Sequence, residues 1–242
     1  MTLKFAFFED WNTAEQAQSW LKEVEQYGKN PYVLGVLNLI EKCNPRKVFD
    51  VGCGNGFPFA SSLLEKNIEV HGCDLSLPLL QEAARQYPAL RWHHTGYEHI
   101  VEKTGGERYD VVYCLRSTWY FPDIIFALEN MLKITKPGGV IIFDIMNSES
   151  PDISKFNREI RRKKYRTFFK NVVKFFLNKI TRANYVYGMA MGKNYTVSPS
   201  MIDAFLERQN FLFQKFTFGQ VSGESKDFDP RAFRILYRVQ VP

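Results

Sequence analysis

Apolar residues along this chain fall into two kinds of run. In the first they recur at three and four: Trp20, Leu21, Val24 and Tyr27, closed by Gly28-Lys29-Asn30-Pro31, and then Val33, Val36, Leu37 and Ile40. Both read as amphipathic helices, the second over Tyr32 to Glu41. In the second kind they are short and nearly unbroken. Lys47 to Val51, Ile68 to Cys73, Leu90 to His94, Tyr109 to Leu115 and Val140 to Ile145 read as strands. Helix-like stretches separate them: Phe59 to Lys66, Leu77 to Tyr87 behind a capping Ser76, and Asp123 to Ile134 before a Lys136-Pro137-Gly138-Gly139 turn. Strand and helix in alternation, with strands apolar throughout, predict an α/β fold whose parallel sheet is covered on both faces.

The rhythm stops after Asp144 for about fifty residues. It resumes at Ser198-Pro199, a capping Ser ahead of Pro at the first helical position, with a helix to about Gln209. Phe211 to Phe218 and Arg234 to Val241 complete the strands, and Gly219 to Asp229 between them is polar and turn-rich.

At 242 residues, the chain is one large domain or one domain with an insertion. Apolar residues at 45% and charged residues at 24% exclude disorder, collagen and coiled coil. No stretch approaches the roughly 18 unbroken apolar residues of a membrane span. Met1 to Asn12 lacks a basic start followed by an apolar run, so no secretory signal is expected. Cys43, Cys53, Cys73 and Cys114 form no CxxC pair, which argues against a metal site and suits a reducing cytoplasm.

The net charge of +6 conceals an asymmetry. Residues 155–182 carry eleven Lys and Arg against the single acid Glu159, a net of +10, and the remainder is −4. Any polyanionic partner is therefore to be sought at that one segment. From Tyr165 onward, Phe168, Phe169, Val172, Val173, Phe176, Leu177 and Ile180 recur at helical spacing among Arg166, Lys170, Lys174 and Lys179, after Arg161-Arg162-Lys163-Lys164. Two readings stand: a lid whose Phe-rich face packs on the domain, and a basic amphipathic helix that lies on an anionic membrane. RNA ranks third.

Asp50-Val51-Gly52-Cys53-Gly54-Asn55-Gly56 follows a strand and precedes a helix, the context in which a glycine loop lets the backbone approach a ligand. A dinucleotide fingerprint would need glycine at position 57, which is Phe57, and no Lys-Ser/Thr follows as in a P-loop. Asp74 lies twenty residues beyond Gly54, where an acid can accept both hydroxyls of a ribose.

Val48 to Gly56 resembles the first motif of class I S-adenosylmethionine-dependent methyltransferases, and Gly72-Cys73-Asp74-Leu75-Ser76 resembles their ribose-binding segment. Tyr109 to Val112 and Lys136 to Ile142 are similar to their fourth- and fifth-strand motifs, and Thr196 to Val241 to the helix and hairpin that close the fold. The resemblance implies a Rossmann-like, seven-stranded, mostly parallel sheet with helices on both faces and an antiparallel C-terminal hairpin. It divides the chain into a helical cap (1–45), a core (46–147 and 195–242) and a basic insertion (148–194). It also implies S-adenosylmethionine as cofactor and S-adenosylhomocysteine as product. Gly52, Gly54 and Gly56 would pass beneath the cofactor's methionine and ribose, with Asp50 at the methionine end and Asp74, with Leu75 beside it, at the ribose. Where the family often has an Asp contacting the adenine amino group, this chain has Tyr97, so Glu98, a backbone group or stacking takes that role. Leu115 and Arg116 would face the cofactor and acceptor, and Tyr27 and Tyr32 would roof the site.

The fourth-strand loop, Cys114 to Phe121, offers an Arg, two hydroxyls and three aromatics as an acceptor wall. Arg116 suits a carboxylate or phosphate, or else caps a helix; Trp119 and Phe121 read as core, and Tyr120 as wall or core. His71 reads as a satisfied core residue, and among His93, His94 and His99 the nominal base is His94. The candidate catalytic set is thus His94, Arg116 and Tyr120, with no metal. Neither the Asn/Asp-Pro-Pro-Tyr/Phe motif of nucleobase-amine enzymes nor a Pro-Cys pair is present, which disfavours nucleic-acid bases. The expected function is methyl transfer to O or N of a small-molecule or lipid-linked acceptor by in-line displacement. The expected location is cytoplasmic, with a peripheral place on the inner face of a membrane if residues 155–182 bind lipid. The rival is a methyltransferase fold without turnover, recruited to anionic membrane or RNA through that segment.

Overall fold

The computed structural model describes residues 14–24, 30–181 and 195–242. Seven strands form one sheet: β1 (Lys47–Val51), β2 (Glu69–Asp74), β3 (Arg91–His94), β4 (Tyr109–Cys114), β5 (Thr135–Met146), β6 (Leu212–Thr217) and β7 (Arg234–Gln240). Their order is β3-β2-β1-β4-β5-β7-β6, with β7 antiparallel to both of its neighbours and every other pairing parallel. The order runs one way from β1 and the other way from β4, so a crevice opens between the C-terminal ends of these two strands.

Alternate residues of the central strands feed opposite cores, which is why those strands are largely apolar. Phe49, Val112, Ile141, Phe143 and Tyr237 pack on one side, with α5 (Ile100–Lys103), α6 (Ile124–Ile134) and α8 (Pro199–Arg208). Val48, Val70, Val111, Tyr113 and Ile142 pack on the other, with α2 (Pro31–Glu41) and α3 (Phe59–Leu64). The caps follow local chemistry: the Asn30 side chain accepts from Tyr32 N at 2.9 Å ahead of Pro31, and Asp123 accepts from Phe126 N at 3.0 Å. Ser76 caps α4 (Leu77–Gln86), accepting from Leu79 N at 3.4 Å. Ser198 differs from expectation. It stands at the N-cap of α8 without a capping bond, because its hydroxyl is taken by Glu149 and Ser200.

Lys136 to Gly139 is less a separate turn than a bulge within β5, since Tyr109 pairs with Thr135 and Val111 with Val140. The turn-rich segment after β6 holds a short helix, α9 (Phe218–Ser222), nucleated by a Thr217–Gln220 capping box. α1 spans Ala14–Val24. The basic segment forms one long helix, α7 (Ile153–Thr181). It hangs from the end of β5, where Asn147 bridges Val197 and Ser148 N donates to Val197 O at 3.0 Å, so the excursion leaves and returns at one place. Phe156 packs against Phe233 at its root, with ring centroids 4.8 Å apart. Beyond that, Tyr165, Phe169, Val173 and Phe176 are each more than half exposed. Arg162, Arg166 and Lys170 are exposed as well. No described helix is long and apolar enough to cross a membrane.

Candidate active site

The crevice at the switch point holds a cavity of about 230 Å³. Its floor is the glycine loop, held down by backbone and side-chain bonds. Gly52 has φ +78°, its N–H donates to Cys73 O at 2.8 Å, and Ser117 Oγ donates to its carbonyl at 3.0 Å. A Cβ at Gly52 would lie 2.5 Å from Ser117 Oγ, so no other residue fits without moving the β4 loop. Gly54, φ +54°, also lines the cavity and donates its N–H to Asp74 Oδ2 at 2.8 Å. Asp74 Oδ1 accepts from Ser76 N at 2.8 Å. The carboxylate thus clamps the loop and still keeps lone pairs toward the cavity.

Around this floor stand the ends of the neighbouring strands. Leu75, more than half exposed, lies beside Asp74, and Tyr97 and Glu98 follow β3. Arg116, Ser117, Tyr120 and Phe121 follow β4. Tyr97 lies 4.4 Å from the Phe121 ring, and burial raises its hydroxyl pKa, so the phenol stays neutral. From α1, Trp20 joins the lining. Its indole nitrogen would sit 3.2 Å from a Cβ at Gly54, and the Arg116 guanidinium lies 5.6 Å from its ring.

Arg116 is held in an unusual backbone conformation, φ +61°, where its N–H donates to Asp144 Oδ1 at 2.8 Å. Thr118 Oγ1 donates to the Asp144 carbonyl, and Tyr32 OH to Asp144 Oδ2 at 3.3 Å. Asp144 therefore holds the loop that carries Arg116 into the cavity. Burial raises its pKa, and Arg234 and Arg116 partly offset that.

Burial raises the pKa of Asp74 too, against the N–H groups of Ser76, Gly54 and Leu75. It raises that of Asp50 further; the adjacent Tyr113 hydroxyl opposes this, and the charge of Asp74 adds to it. Neither Asp50 nor Asp74 forms an ion pair with a described residue. Asp50 is buried and Asp74 half-buried, with His94 near enough to Asp74 to favour its ionised form, and two neighbouring carboxyls make the region favourable for a positively charged ligand.

Several expected site residues lie elsewhere. Gly56, φ +81°, lies outside the lining because its α-carbon faces the Trp92 ring, 3.0 Å from where a Cβ would be. Asp50 is buried behind the loop, 5% exposed, and does not reach the cavity surface. Leu115 points into the core on the α2 side, because only the next residue, Arg116, adopts the conformation that turns the chain inward. His94 is outside the lining, with its Nε2 held by Leu75 O at 3.0 Å, so this geometry gives it no acceptor to deprotonate. Tyr32 does not roof the site: it stacks on Phe218 at 4.6 Å and reaches Asp144 from behind. Tyr27 lies outside the described residues. Phe121, read as core, is a wall residue, whereas Trp119 is core, with Arg234 4.9 Å from its ring.

Trp20 was not legible as a site residue, since the helical period marks it only as apolar. Ser117 was legible as one of the two hydroxyls of the wall, but not its bond to the Gly52 carbonyl. His71 is the satisfied core residue expected, bonded to Tyr109 OH at 2.9 Å and Glu69 at 2.8 Å. Burial keeps the thiols of Cys53, Cys73 and Cys114 protonated. No group of described His, Cys, Asp and Glu residues is arranged to hold a metal ion.

Residues 49–141 match a family described as methyltransferase domain. A ubiquinone biosynthesis O-methyltransferase of Paracidovorax citrulli is 28% identical over 123 residues, 49% of this chain and 51% of that one. The chain thus spans about half the length of this curated relative. A protein of the same name from Hydrogenovibrio crunogenus is 25% identical over 245 residues, 95% of this chain and 88% of the relative. In three dimensions, an S-adenosylmethionine-dependent methyltransferase of Clostridium acetobutylicum superposes with a TM-score of 0.59 at 15% identity, covering 92% of this chain and 99% of the other.

Proposed function

We propose that the chain, whose residues 49–141 match a methyltransferase domain, is a class I S-adenosylmethionine-dependent methyltransferase that moves a methyl group from S-adenosylmethionine to an oxygen or nitrogen of a small-molecule acceptor held against the loop after β4. The observation that carries this is one cavity shared by two sets of residues. Gly52, Gly54 and Asp74 make a cradle for an adenosyl ligand, and Arg116, Tyr120 and Phe121 make a wall beside it.

The cofactor fits the residues present. The glycine backbone leaves a space that a side chain would fill, Asp74 retains acceptor sites for ribose hydroxyls, and the neighbouring carboxyls of Asp50 and Asp74 suit a ligand with cationic groups. When bound, S-adenosylmethionine supplies a methyl group already activated as a sulfonium. The chain then has to align the acceptor and exclude water. Trp20 covers the cavity from α1, and Tyr97 and Phe121 offer ring faces for stacking. Arg116 is placed to orient a carboxylate or phosphate on the acceptor. Among the described residues the only carboxylates in the lining are Asp74 and Glu98, and no histidine is there. Glu98 is therefore the better candidate than His94 to accept a proton where an acceptor must lose one.

Oxygen is the favoured atom, because the curated relatives are named O-methyltransferases. The aromatic lining favours an apolar, ring-bearing acceptor, and a lipid-linked one is the finer reading. The test is to incubate the protein with S-adenosylmethionine and a panel of phenolic and amine acceptors, with and without a carboxylate. S-adenosylhomocysteine and a methylated product are read by mass spectrometry. The expected result is product from at least one phenol, with KM raised and kcat less affected by Arg116→Ala when the acceptor carries the carboxylate. Cofactor binding without turnover on any acceptor would favour the binding module instead.

A further inference from the structure

The longest helix takes no part in the cavity. α7 runs 29 residues, about 43 Å at 1.5 Å per residue. Tyr165, Phe169, Val173 and Leu177 follow one another at four, and Phe176 joins the same side; they are 60%, 65%, 57%, 38% and 56% exposed respectively. Arg158, Arg162, Arg166 and Lys170 form a second row at the same spacing, all exposed. Arg166 and Lys170 each stand one residue from the apolar row, about 100° round the helix, and Arg162 stands three residues before Tyr165, about 60° from it. Exposed rings and aliphatic groups interleaved with exposed cations along one helix suit the headgroup region of an anionic bilayer, which takes up both.

We propose that α7 docks this protein on the surface of an anionic lipid bilayer. Tyr165, Phe169, Val173 and Phe176 enter the headgroup region while Arg158, Arg162, Arg166 and Lys170 meet lipid phosphates. Charge complementarity commits the surface to that partner. Residues 155–182 are +10 while the rest of the chain is −4, so an anionic leaflet attracts the helix and repels the body, which sets the docked orientation. Val173 and Leu177 favour lipid over RNA: aliphatic side chains gain from acyl chains but offer no face for base stacking. This goes beyond the proposed reaction and does not depend on it.

The experiment is co-sedimentation of the whole chain with vesicles of phosphatidylcholine alone and of phosphatidylcholine with phosphatidylglycerol. It is run at low and high salt, with a no-vesicle control. The account expects binding to the mixed vesicles only, weakened by salt. Arg162→Ala, Arg166→Ala and Lys170→Ala together should weaken it on the order of 100-fold, about fivefold for each charge removed. Phe169→Ser with Phe176→Ser should weaken it even at low salt, where charge alone would hold. S-adenosylhomocysteine affinity, measured on each variant, reports that the fold is intact. Failure to bind the mixed vesicles would overturn the proposal, as would binding indifferent to both sets of substitutions. Displacement by RNA with the two serine substitutions silent would overturn it in favour of nucleic acid. Sedimentation without vesicles would do so in favour of self-association.

Discussion

Asp74 has two duties, and replacing it with alanine separates them. Its oxygens accept the N–H groups of Gly54 and Ser76, both at 2.8 Å, and the same carboxylate lines the cavity. Removing it leaves two backbone donors without their acceptor. At about 1–3 kcal/mol for each such group, reduced by water entering from the cavity, stability should fall by roughly 2–4 kcal/mol. For a chain of this size that lowers Tm by on the order of 10 °C. Binding adds a further loss. A charge-assisted bond to a ribose hydroxyl contributes about 1.5–3 kcal/mol, so Kd should rise at least about tenfold. Asp74→Asn keeps one acceptor oxygen and sets an amide NH2 against the other donor. It should lose affinity nearly as much as Asp74→Ala but lose less stability. The assay is calorimetric titration with S-adenosylhomocysteine beside thermal unfolding of the same samples. A lower Tm with unchanged Kd in Asp74→Ala would make the carboxylate a loop clamp alone, and the ribose seat would have to lie elsewhere.

Three further outcomes follow from the same geometry. Gly52→Ala forces an L-residue to φ +78° with its Cβ 2.5 Å from Ser117 Oγ, so both Tm and S-adenosylhomocysteine affinity should fall; Gly105→Ala, φ +60° in open space, should cost about 1–2 kcal/mol of stability and leave affinity unchanged. Asp144→Ala strands the Arg116 N–H and the Tyr32 hydroxyl, for a loss of about 2–4 kcal/mol in urea denaturation, and Asp144→Asn should lose less. His71 has its pKa lowered below 6.5, chiefly by burial, so its contribution to stability is present above pH 6.5 and lost as pH falls through the folded-state value. The urea midpoint of the wild type should therefore drop on acidification below 6.5, and in His71→Gln that part of the slope should vanish while the carboxylate-driven loss at lower pH remains.

The sheet was legible because strands buried on both faces cannot alternate, and β1, β4 and the Val140 to Ile145 stretch of β5 read as nearly unbroken apolar runs. The glycine loop and Asp74 were legible because a backbone that meets a ligand needs glycine, and a ribose needs an acid at the end of the next strand. Side-chain direction was not. Leu115 and Arg116 are adjacent in sequence, yet one fills the core and the other enters the cavity, a difference made by the left-handed conformation at Arg116 and the buried Asp144 that holds it. Gly56 looks like its two predecessors in the motif, but its neighbour is the Trp92 ring. Trp20 carries the helical period of any packed residue, and only the approach of α1 to the glycine loop makes it a cavity wall. Aromatic and basic residues mixed at helical spacing in α7 could not be divided into faces by counting, and among the described side chains Tyr165, Arg166, Phe169 and Lys170 are exposed together.

The central claim is that the cavity over Gly52, Gly54 and Asp74 is a seat for S-adenosylmethionine. The most direct test is a calorimetric titration of the wild-type protein with S-adenosylmethionine, run beside NADH as the ligand of a nucleotide-dependent oxidoreductase. Saturable binding of S-adenosylmethionine at one site per chain, with no heat from NADH, is the predicted result. No binding of S-adenosylmethionine, or a preference for NADH, would contradict the account.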